Sequence, residues 1–278
     1  MFRQIFCTIF VVAFFAGIWF GLWSAWKNEL LRSEQYRLDP ARFHLPPPLP
    51  WIPETLVHEV LLAANFEADE SVLDTKLPEK LAAAFKANPW VLKVRKVQIQ
   101  YPAEIFVELE YRSPVCLVEL PNGDGFYPVD SQGVLLPTDY FTQGTPKEIA
   151  EKMDAFVHVT DAPSNPIGSF GDAWGHPAVE KAAKIAALLG KDAELWGIVA
   201  IRILTEKKAE EFALSWNTQP PQFQLLAANG HAFDWGTFDF SSEIPQLPSL
   251  EEDAKKEKLR YLIQQHGTLA NIPDIPIR

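Results

Sequence analysis

Residues 77–111 read LPEKLAAAFKANPWVLKVRKVQIQYPAEIFVELEY, and the apolar residues change period halfway through this stretch. In the first part they recur every three or four residues, which is typical of a helix, and Pro89 prevents that helix from continuing. In the second part they alternate with polar residues on both sides of a turn at 102–104. The stretch therefore predicts a helix from Leu77 to Asn88 and then a β-hairpin with one apolar face.

The residues on either side of this stretch continue both patterns. Glu54 to Phe66 carries apolar residues at helical spacing and predicts an earlier helix. Val115 to Leu120 and Phe126 to Leu136 carry the alternation of strands, and turn-forming residues lie between them at 122–125. Two helices followed by a hairpin and a further strand predict one compact unit over 54–120.

The chain beyond residue 120 predicts a second domain of strands with flanking helices. The predicted helices are Pro146 to Phe156, a helix that begins at His176-Pro177, and Leu250 to His266. The predicted strands are Ile198 to Leu204, Phe212 to Trp216, Phe223 to Leu225 and His231 to Gly236. Gly190 stands where the second helix needs a left-handed C-terminal cap, and the last helix offers the i,i+4 pairs Glu251/Lys255 and Glu252/Lys256. The expected fold class is α+β.

The composition excludes several classes of protein. With 278 residues, of which 47% are apolar, the chain is able to bury a core, and this excludes wholesale disorder and fibrous repeats. Lys and Arg number 25 and Asp and Glu number 36, so the net charge of −11 opposes binding to the phosphates of a nucleic acid. No DNA or RNA partner is expected.

The N-terminal region predicts a membrane anchor. Residues Ile5 to Trp26 contain no charged side chain, and as a helix they would span about 33 Å, the thickness of a bilayer core. A cleaved signal peptide is the alternative, but its apolar region is shorter and ends in small residues, whereas Trp19, Trp23 and Trp26 lie at this end. Tryptophans at that position are typical of a membrane interface, so we expect an uncleaved transmembrane helix after a short tail at 1–4.

The positive charges beside this span bear on its orientation. Arg3 precedes the span, whereas Lys27, Arg32, Arg37 and Arg42 follow it, so the count alone favours a cytoplasmic location for the following domains. Acidic residues alternate with those four, however, and a large domain is exported despite such charges. We expect the N-terminus in the cytoplasm and the domains outside the membrane.

Residues 27–53 are expected to form a juxtamembrane and proline-rich linker. His44 to Pro53 reads HLPPPLPWIP, and its prolines favour an extended polyproline II conformation. At roughly 3.1 Å per residue this segment would form a spacer of about 30 Å between anchor and domain. A ligand for a proline-binding module is the alternative interpretation.

Several short motifs follow one another between Leu56 and Pro137. They are Asn88-Pro89-Trp90-Val91, Val94, Val97, Pro102, Val107-Glu108-Leu109, Arg112-Ser113-Pro114-Val115 and Tyr127 to Leu135. In order and spacing these motifs resemble the POTRA domain and the following strands of the FtsQ/DivIB cell-division family. No single motif is specific, and the resemblance rests on their combination with one membrane span and a distal domain.

The resemblance implies both a fold and a role. In this family a POTRA-like domain of order β-α-α-β-β, with two helices on a small mixed sheet, precedes a mostly antiparallel β domain, here expected at 121–278. The family's role implies a non-enzymatic scaffold of the divisome, held in the inner membrane by a single span and located at the division site. It implies partners like FtsB and FtsL, bound through exposed sheet edges, and neither a cofactor nor a small-molecule substrate.

Two features depart from the family pattern. The helix follows Pro53 directly, so the family's first strand is expected to be short or lost, together with partner pairing at that edge. The tail Ile272 to Arg278 resembles the start of the family's terminal strand, although its two prolines remove donors from a ladder. The candidate partner-binding residues there are Ile275, Ile277 and Arg278.

No catalytic or metal-binding motif is recognised in the sequence. The six histidines are too far apart to form a close-spaced ligand pair. Gly168-Ser169-Phe170-Gly171 lacks the pattern of a nucleophile elbow, and Asp124 and Asp130 lack the spacing of a calcium loop, which favours turn capping. Cys116 and Trp90 are expected to be buried core residues.

Two other functions stay open at this point. A periplasmic chaperone of the POTRA type would pass extended chains to outer-membrane machinery by strand addition, although tandem copies or a C-terminal barrel would be expected with it. A membrane-tethered hydrolase of cell-wall material would need a catalytic pair of carboxylates, and among 36 acidic residues such a pair is always conceivable.

Overall fold

The computed structural model of this protein describes residues 14–23, 33–66, 70–204, 223–236 and 250–272. The contacts between residues divide the chain into two compact units, with the division between Tyr111 and Arg112. Each unit contains helices and a sheet of mixed strand direction, so the expected α+β class is confirmed.

The first unit follows the order strand, helix, helix, strand, strand. Its elements are β1 (Phe43–His44), α1 (Leu56–Ala63), α2 (Leu77–Ala87), β2 (Val91–Gln100) and β3 (Glu104–Tyr111). In the sheet, β3 lies between the other two strands, parallel to β1 and antiparallel to β2. The two predicted helices and the predicted hairpin are confirmed, and the hairpin's first strand begins six residues before Val97.

The core of the first unit forms because the helical spacing of apolar residues in α1 and α2 and their alternation in β3 each give one apolar face. The buried residues are Leu56, Val60 and Leu61 of α1, Leu77, Leu81 and Phe85 of α2, and Ile105, Val107 and Leu109 of β3. Trp90, at the junction of α2 and β2, is 3% exposed, which confirms it as a core residue. The Asn88 side chain accepts a hydrogen bond from the Trp90 backbone N–H at 2.9 Å and so fixes the turn between helix and strand.

The first strand lies before the proline run, inside the region expected to be a linker. Phe43 and His44 pair with Ile105 and Phe106 of β3, and the pairing stops within two residues of Pro46. Proline has no N–H to donate, so the prolines that follow β1 end the ladder. The strand is therefore short but present.

The proline run packs on the first unit, which corrects the expectation of a free spacer. The Tyr111 hydroxyl donates to the Pro46 carbonyl at 3.1 Å, and Ile52 is 6% exposed. Burial of Ile52 and the hydrogen bond from Tyr111 of β3 hold the segment on this unit.

The second unit is built on a six-stranded sheet. Its strands are β4 (Pro114–Glu119), β5 (Phe126–Asp130), β6 (Val157–Thr160), β7 (Ile198–Ile203), β8 (Phe223–Ala227) and β9 (Ala232–Gly236), in the order β5-β4-β6-β7-β8-β9. Its helices are α3 (Asp139–Thr142), α4 (Pro146–Asp154), α5 (Pro177–Leu189), α6 (Asp192–Trp196) and α7 (Leu250–His266). Because β4 pairs with β5 and β6, the boundary expected at residue 120 moves to the front of β4.

The expectation of a mostly antiparallel domain is corrected at the centre of this sheet. Strands β4, β6 and β7 run parallel to one another, whereas the outer pairs β4–β5, β7–β8 and β8–β9 are antiparallel. Parallel neighbours need long crossover connections, and α5 and α6 supply one between β6 and β7. The sheet is mixed because helices interrupt the succession of strands.

Helices α5 and α7 of the second unit each bury one face, and α7 is also held by specific polar contacts. In α5 the buried residues are Val179, Ala182, Ala183, Ile185, Ala186 and Leu189. In α7, Glu252 is 1% exposed and binds Lys255 at 2.8 Å, and it also accepts from the Trp235 indole N–H. Lys256 instead reaches Asp192 of α6 at 2.9 Å and lowers the pKa of that carboxyl through the hydrogen bond. The expected pair Glu252/Lys256 is thus wrong, because each side chain has a closer tertiary partner.

Glycines with a positive φ directly follow helices α5, α6 and α7 of this unit. Gly190 follows α5 with φ +52° and ψ −133°, so it has a positive φ without the expected left-handed helical conformation. Gly197 follows α6 with φ +72° and ψ +26°, which is the left-handed cap.

Three sequence predictions reach outside the described residues. Residues 14–23 are helical with exposed apolar side chains, whereas Ile5 and Trp26, the ends of the expected span, are not described. Within the described ranges, none of the helices combines the length and the apolar character that crossing a bilayer requires. The expected strand from Phe212 to Trp216 and the tail residues Ile275, Ile277 and Arg278 also lie outside the described residues.

The buried position of Trp90 predicts a large loss of stability on truncation. Trp90→Ala is expected to destabilise the first unit by about 3–5 kcal/mol, because it leaves a cavity between helix and sheet. Leu92→Ala is the matched control on β2, since Leu92 is 39% exposed and its loss should cost less than about 1 kcal/mol. Hydrogen exchange of β2 and β3 peptides in increasing urea measures both values. Equal losses for the two variants would contradict the assignment of Trp90 to the core.

Candidate functional site

Three of the histidines have a local structural setting. His44 lies 2.8 Å from a Glu104 carboxylate oxygen, and the His176 ring nitrogen accepts from the Ala178 backbone N–H as the cap of α5. His158 lies 3.3 Å from a Glu119 carboxylate oxygen. Among the described residues no group of three or more His, Cys, Asp or Glu side chains is arranged to hold a metal ion.

The Cys116 thiol is unsuited to nucleophilic chemistry. Cys116 is completely buried in β4 among apolar side chains, as expected. Burial raises the pKa of its thiol, and the nearby Asp130 carboxylate raises it further, so the thiolate form is disfavoured at neutral pH. Cys116 therefore acts as a small apolar core residue.

Asp130 is a buried turn cap, as expected, and it also forms an ion pair. It is 3% exposed, and one carboxylate oxygen accepts from the backbone N–H groups of Gln132 at 2.8 Å and Val134 at 3.0 Å. The other oxygen pairs with the Arg112 guanidinium, which is itself mostly buried. Asp124 is exposed in the preceding turn. Asp130 is thus committed to structure, and no cation is needed to satisfy its oxygens.

The segment Gly168 to Gly171 is a surface loop rather than a nucleophile elbow. The Ser169 backbone N–H donates to Asp172 at 3.0 Å, and the Gly171 backbone N–H donates to the Leu135 carbonyl at 2.8 Å. Ser169 is exposed, and no strand precedes it directly. These hydrogen bonds hold the loop against residues 133–135, which follow β5.

One border of the six-stranded sheet is covered by the chain that follows β5. The Asp130 N–H donates to the Val134 carbonyl at 3.1 Å, and the Leu136 N–H donates to the Pro128 carbonyl at 2.9 Å. Residues 133–135 bond in turn to residues 171–174. The donors and acceptors along this border are therefore occupied within the chain, which leaves little room for an added strand.

One border of the three-stranded sheet is covered in a different way. The two-residue β1 pairs with the start of β3, and the proline run follows alongside with the Tyr111–Pro46 hydrogen bond. Prolines supply no N–H, so this border cannot be extended by a regular ladder. The remaining border is β2.

Strand β2 is the second terminal strand of the three-stranded sheet, opposite β1, and its outer edge is the candidate functional site. Within the part of the chain that the structure describes, its ten residues pair with β3 alone. Irregularities at Leu92 and Arg95 interrupt the first half, whereas the pairing from Lys96 to Gln100 is regular. A regular terminal strand presents unpaired N–H and C=O groups to solvent, which are the groups that bind an added strand.

On the solvent-exposed face of this sheet, here called the outer face, the basic side chains lie on β2 and the acidic side chains on β3. Lys93 of β2 lies opposite Glu110 of β3, and Lys96 lies opposite Glu108. The Arg95 guanidinium donates to Glu110 at 2.6 Å. Both lysines are exposed. The terminal strand is therefore basic in a protein whose overall charge is −11.

The apolar face of β2 is incompletely covered. Val97 and Ile99 are only half-buried, although their cross-strand partners Val107 and Ile105 are 2% and 0% exposed. The difference arises because β3 has a paired strand on each side, whereas among the described strands β2 has one on a single side. An additional strand beside β2 would bury more of Val97 and Ile99.

Sequence reasoning placed its candidate edge elsewhere, at Ile275, Ile277 and Arg278, which lie outside the described residues. The β2 edge was missed as a site, although Lys93-Val94-Arg95-Lys96 is a run of basic residues without an acidic one. That basic run was the one feature of the sequence that could have indicated a binding site on β2. Which strand ends a sheet depends on long-range pairing, so the signal alone did not identify an edge.

No family model matches this chain, and no curated protein matches its sequence. The function is therefore argued from the residues and the fold.

The setting of Asp130 predicts a contrast with Asp124. Asp130→Ala is expected to destabilise the second unit by about 3–5 kcal/mol, because it leaves the buried Arg112 without its carboxylate and two N–H groups without an acceptor. Asp130→Asn should cost less, since an amide oxygen still accepts from those N–H groups.

Asp124→Ala is the control, and its expected effect is within about 0.5 kcal/mol because Asp124 is exposed. Urea denaturation with hydrogen exchange of β4 and β5 peptides measures all three variants. If Asp124→Ala were as damaging as Asp130→Ala, the structural role assigned to Asp130 would be wrong.

Proposed function

We propose that this protein is a non-enzymatic cell-division scaffold that resembles the FtsQ/DivIB family. Its N-terminal span holds it in the inner membrane, with the N-terminus in the cytoplasm and both sheet-containing domains outside. At the division site it recruits other membrane-anchored division proteins, similar to FtsB and FtsL, through exposed sheet edges.

One observation carries the proposal. The first unit has the order strand, helix, helix, strand, strand on a three-stranded mixed sheet, which is the order the resemblance implies for a POTRA-like domain. Its β2 edge is regular over Lys96 to Gln100, and a scaffold that works by strand addition needs such an edge.

The residues that carry the resemblance have structural roles that explain their types. Asn88 fixes the helix-to-strand turn and Trp90 fills the core beside it. Asp130 caps the turn that ends at Gly133, whose φ is +75°. A Cβ atom at position 133 would also lie 2.8 Å from the Glu180 side chain, so the turn requires glycine there. These motifs support a shared architecture, whereas the partner-binding edge carries no such motif.

The membrane anchor gives the proposal its physical basis. Residues 14–23 are helical and expose aromatic and aliphatic side chains, which suits a lipid environment. Anchored proteins share a plane, which raises their effective concentration for one another, so a weak interface is sufficient for recruitment.

The position of the protein in dividing cells tests this function. The full chain, with a fluorescent protein at its N-terminus and expressed at native level, is expected to form a band at the constriction. The band should disappear when both extracytoplasmic units are removed, because recruitment resides in them. A uniform envelope signal from the intact chain would contradict the proposal.

A truncation tests the expected role of the tail. Leu269 and Ile272 are 0% and 2% exposed, so a cut before Ile272 would damage the core, whereas a cut after it removes only Pro273 to Arg278. If Ile275 and Ile277 form the recruiting edge, the shorter chain keeps its fold by circular dichroism and loses the division-site band. A folded, truncated chain that still forms the band would show that the tail does not recruit.

A further inference from the structure

We propose that the outer edge of β2 binds an extended partner segment that is apolar on one face and acidic on the other. The inference rests on the proposed function, in which sheet edges recruit partners, and it adds the chemistry of the partner. Three independent features of β2 carry it: the regular backbone over Lys96 to Gln100, the incomplete apolar face, and the sorted charges.

The backbone limits where the partner strand pairs. Pairing between β2 and β3 shifts register between Val91 and Lys93 and again between Val94 and Lys96. Such irregularities bend a strand and disturb its outer ladder. The regular part from Lys96 to Gln100 is about 17 Å long and is the segment that accepts a neighbour.

The apolar face specifies alternate residues of the partner. Val97 and Ile99 point to the core side of the sheet, as their pairing with buried Val107 and Ile105 requires, yet both stay half-buried. β3 covers Val97 and Ile99 on one side. Aliphatic side chains of an added strand would cover them on the opposite side. The partner therefore carries aliphatic residues at every second position.

The charges specify the other face of the partner. On the outer face of the sheet, β3 presents Glu108 and Glu110, and β2 presents Lys96 and Lys93 opposite them. A strand added beside β2 would meet Lys96 within the regular segment and Lys93 just before that segment, so acidic residues on the partner continue the alternation of charge and basic residues break it. Gln98 and Gln100, exposed on the same face, add uncharged hydrogen-bonding groups next to these charges.

A second copy of this chain is disfavoured as the occupant of this edge. If two β2 edges paired antiparallel over Lys96 to Gln100, Lys96 of each copy would lie opposite Gln100 of the other, so a second basic strand would bring the lysines no carboxylate. The same lysines therefore favour an acidic partner over a second copy.

The experiment uses the full chain in detergent micelles and a short, capped, fluorescent peptide in which glutamate and valine alternate. Two control peptides have the same length: one replaces glutamate with lysine, and the other keeps glutamate but carries N-methyl groups along its backbone. Fluorescence anisotropy measures affinity, and hydrogen exchange of β2 locates the binding.

The double variant Lys93→Glu with Lys96→Glu tests the charges, and Lys76→Glu is the matched control. Lys76 is exposed at the start of α2, in the same unit but away from β2 in sequence. We expect the double variant to bind the glutamate peptide at least about tenfold more weakly and to bind the lysine peptide better than the unaltered chain does. Lys76→Glu should leave both affinities nearly unchanged, and added salt should weaken binding of the glutamate peptide.

Each result has a defined meaning. Preference for the glutamate peptide, protection of β2 amides and reversal of the preference in the double variant support the proposal. Equal binding of the glutamate and lysine peptides overturns the acidic specificity, and equal binding of the N-methylated peptide overturns strand pairing. No binding, with β2 amides unprotected, overturns the inference as a whole.

The division-site band separates this inference from the function on which it rests. If the peptides fail while the intact chain still forms the band, only the chemistry assigned to β2 is wrong. If the band itself is absent, the scaffold function fails independently of any peptide result.

Discussion

The backbone of a terminal strand carries hydrogen-bond donors and acceptors on its outer side. How these groups are satisfied decides whether a sheet border is able to accept another strand. Beside β5, the chain folds back so that Val134 and Pro128 accept N–H groups across the border. Beside β3, a strand of two residues gives way to prolines that have no N–H to offer. These two solutions differ in chemistry but have the same consequence, because neither border supports a regular added ladder.

Local pattern was sufficient to predict the elements formed by neighbours in sequence. The helix at Leu77–Ala87 and the hairpin of β2 and β3 follow from periodicity and from Pro89, since both depend on contacts within about thirty residues. Periodicity did not reveal β1, because two residues are too few to show an alternation. Nor did periodicity reveal that β4 pairs with β6 in the second sheet and not with the hairpin of β2 and β3. That pairing depends on a strand about forty residues further along the chain.

The same limit applies to the candidate site. The sequence shows a basic run at Lys93 to Lys96, and charge alone is compatible with a solvated surface. The run becomes informative only when the fold places it on a terminal strand beside an acidic one. In contrast, the buried roles of Trp90 and Cys116 were predictable, because apolar neighbours and a helix-to-strand junction are local features.

Weak binding and selectivity are compatible at such an edge because they come from different groups. Five regular residues offer few backbone hydrogen bonds, so the affinity for a free partner is expected to be low. In the proposed function, confinement in a membrane plane raises the effective concentration of the partners and compensates for this low affinity. Confinement acts equally on every anchored protein and does not discriminate among them. Discrimination must come from the side chains, and Lys93 and Lys96 provide it by opposing a basic strand as strongly as they favour an acidic one.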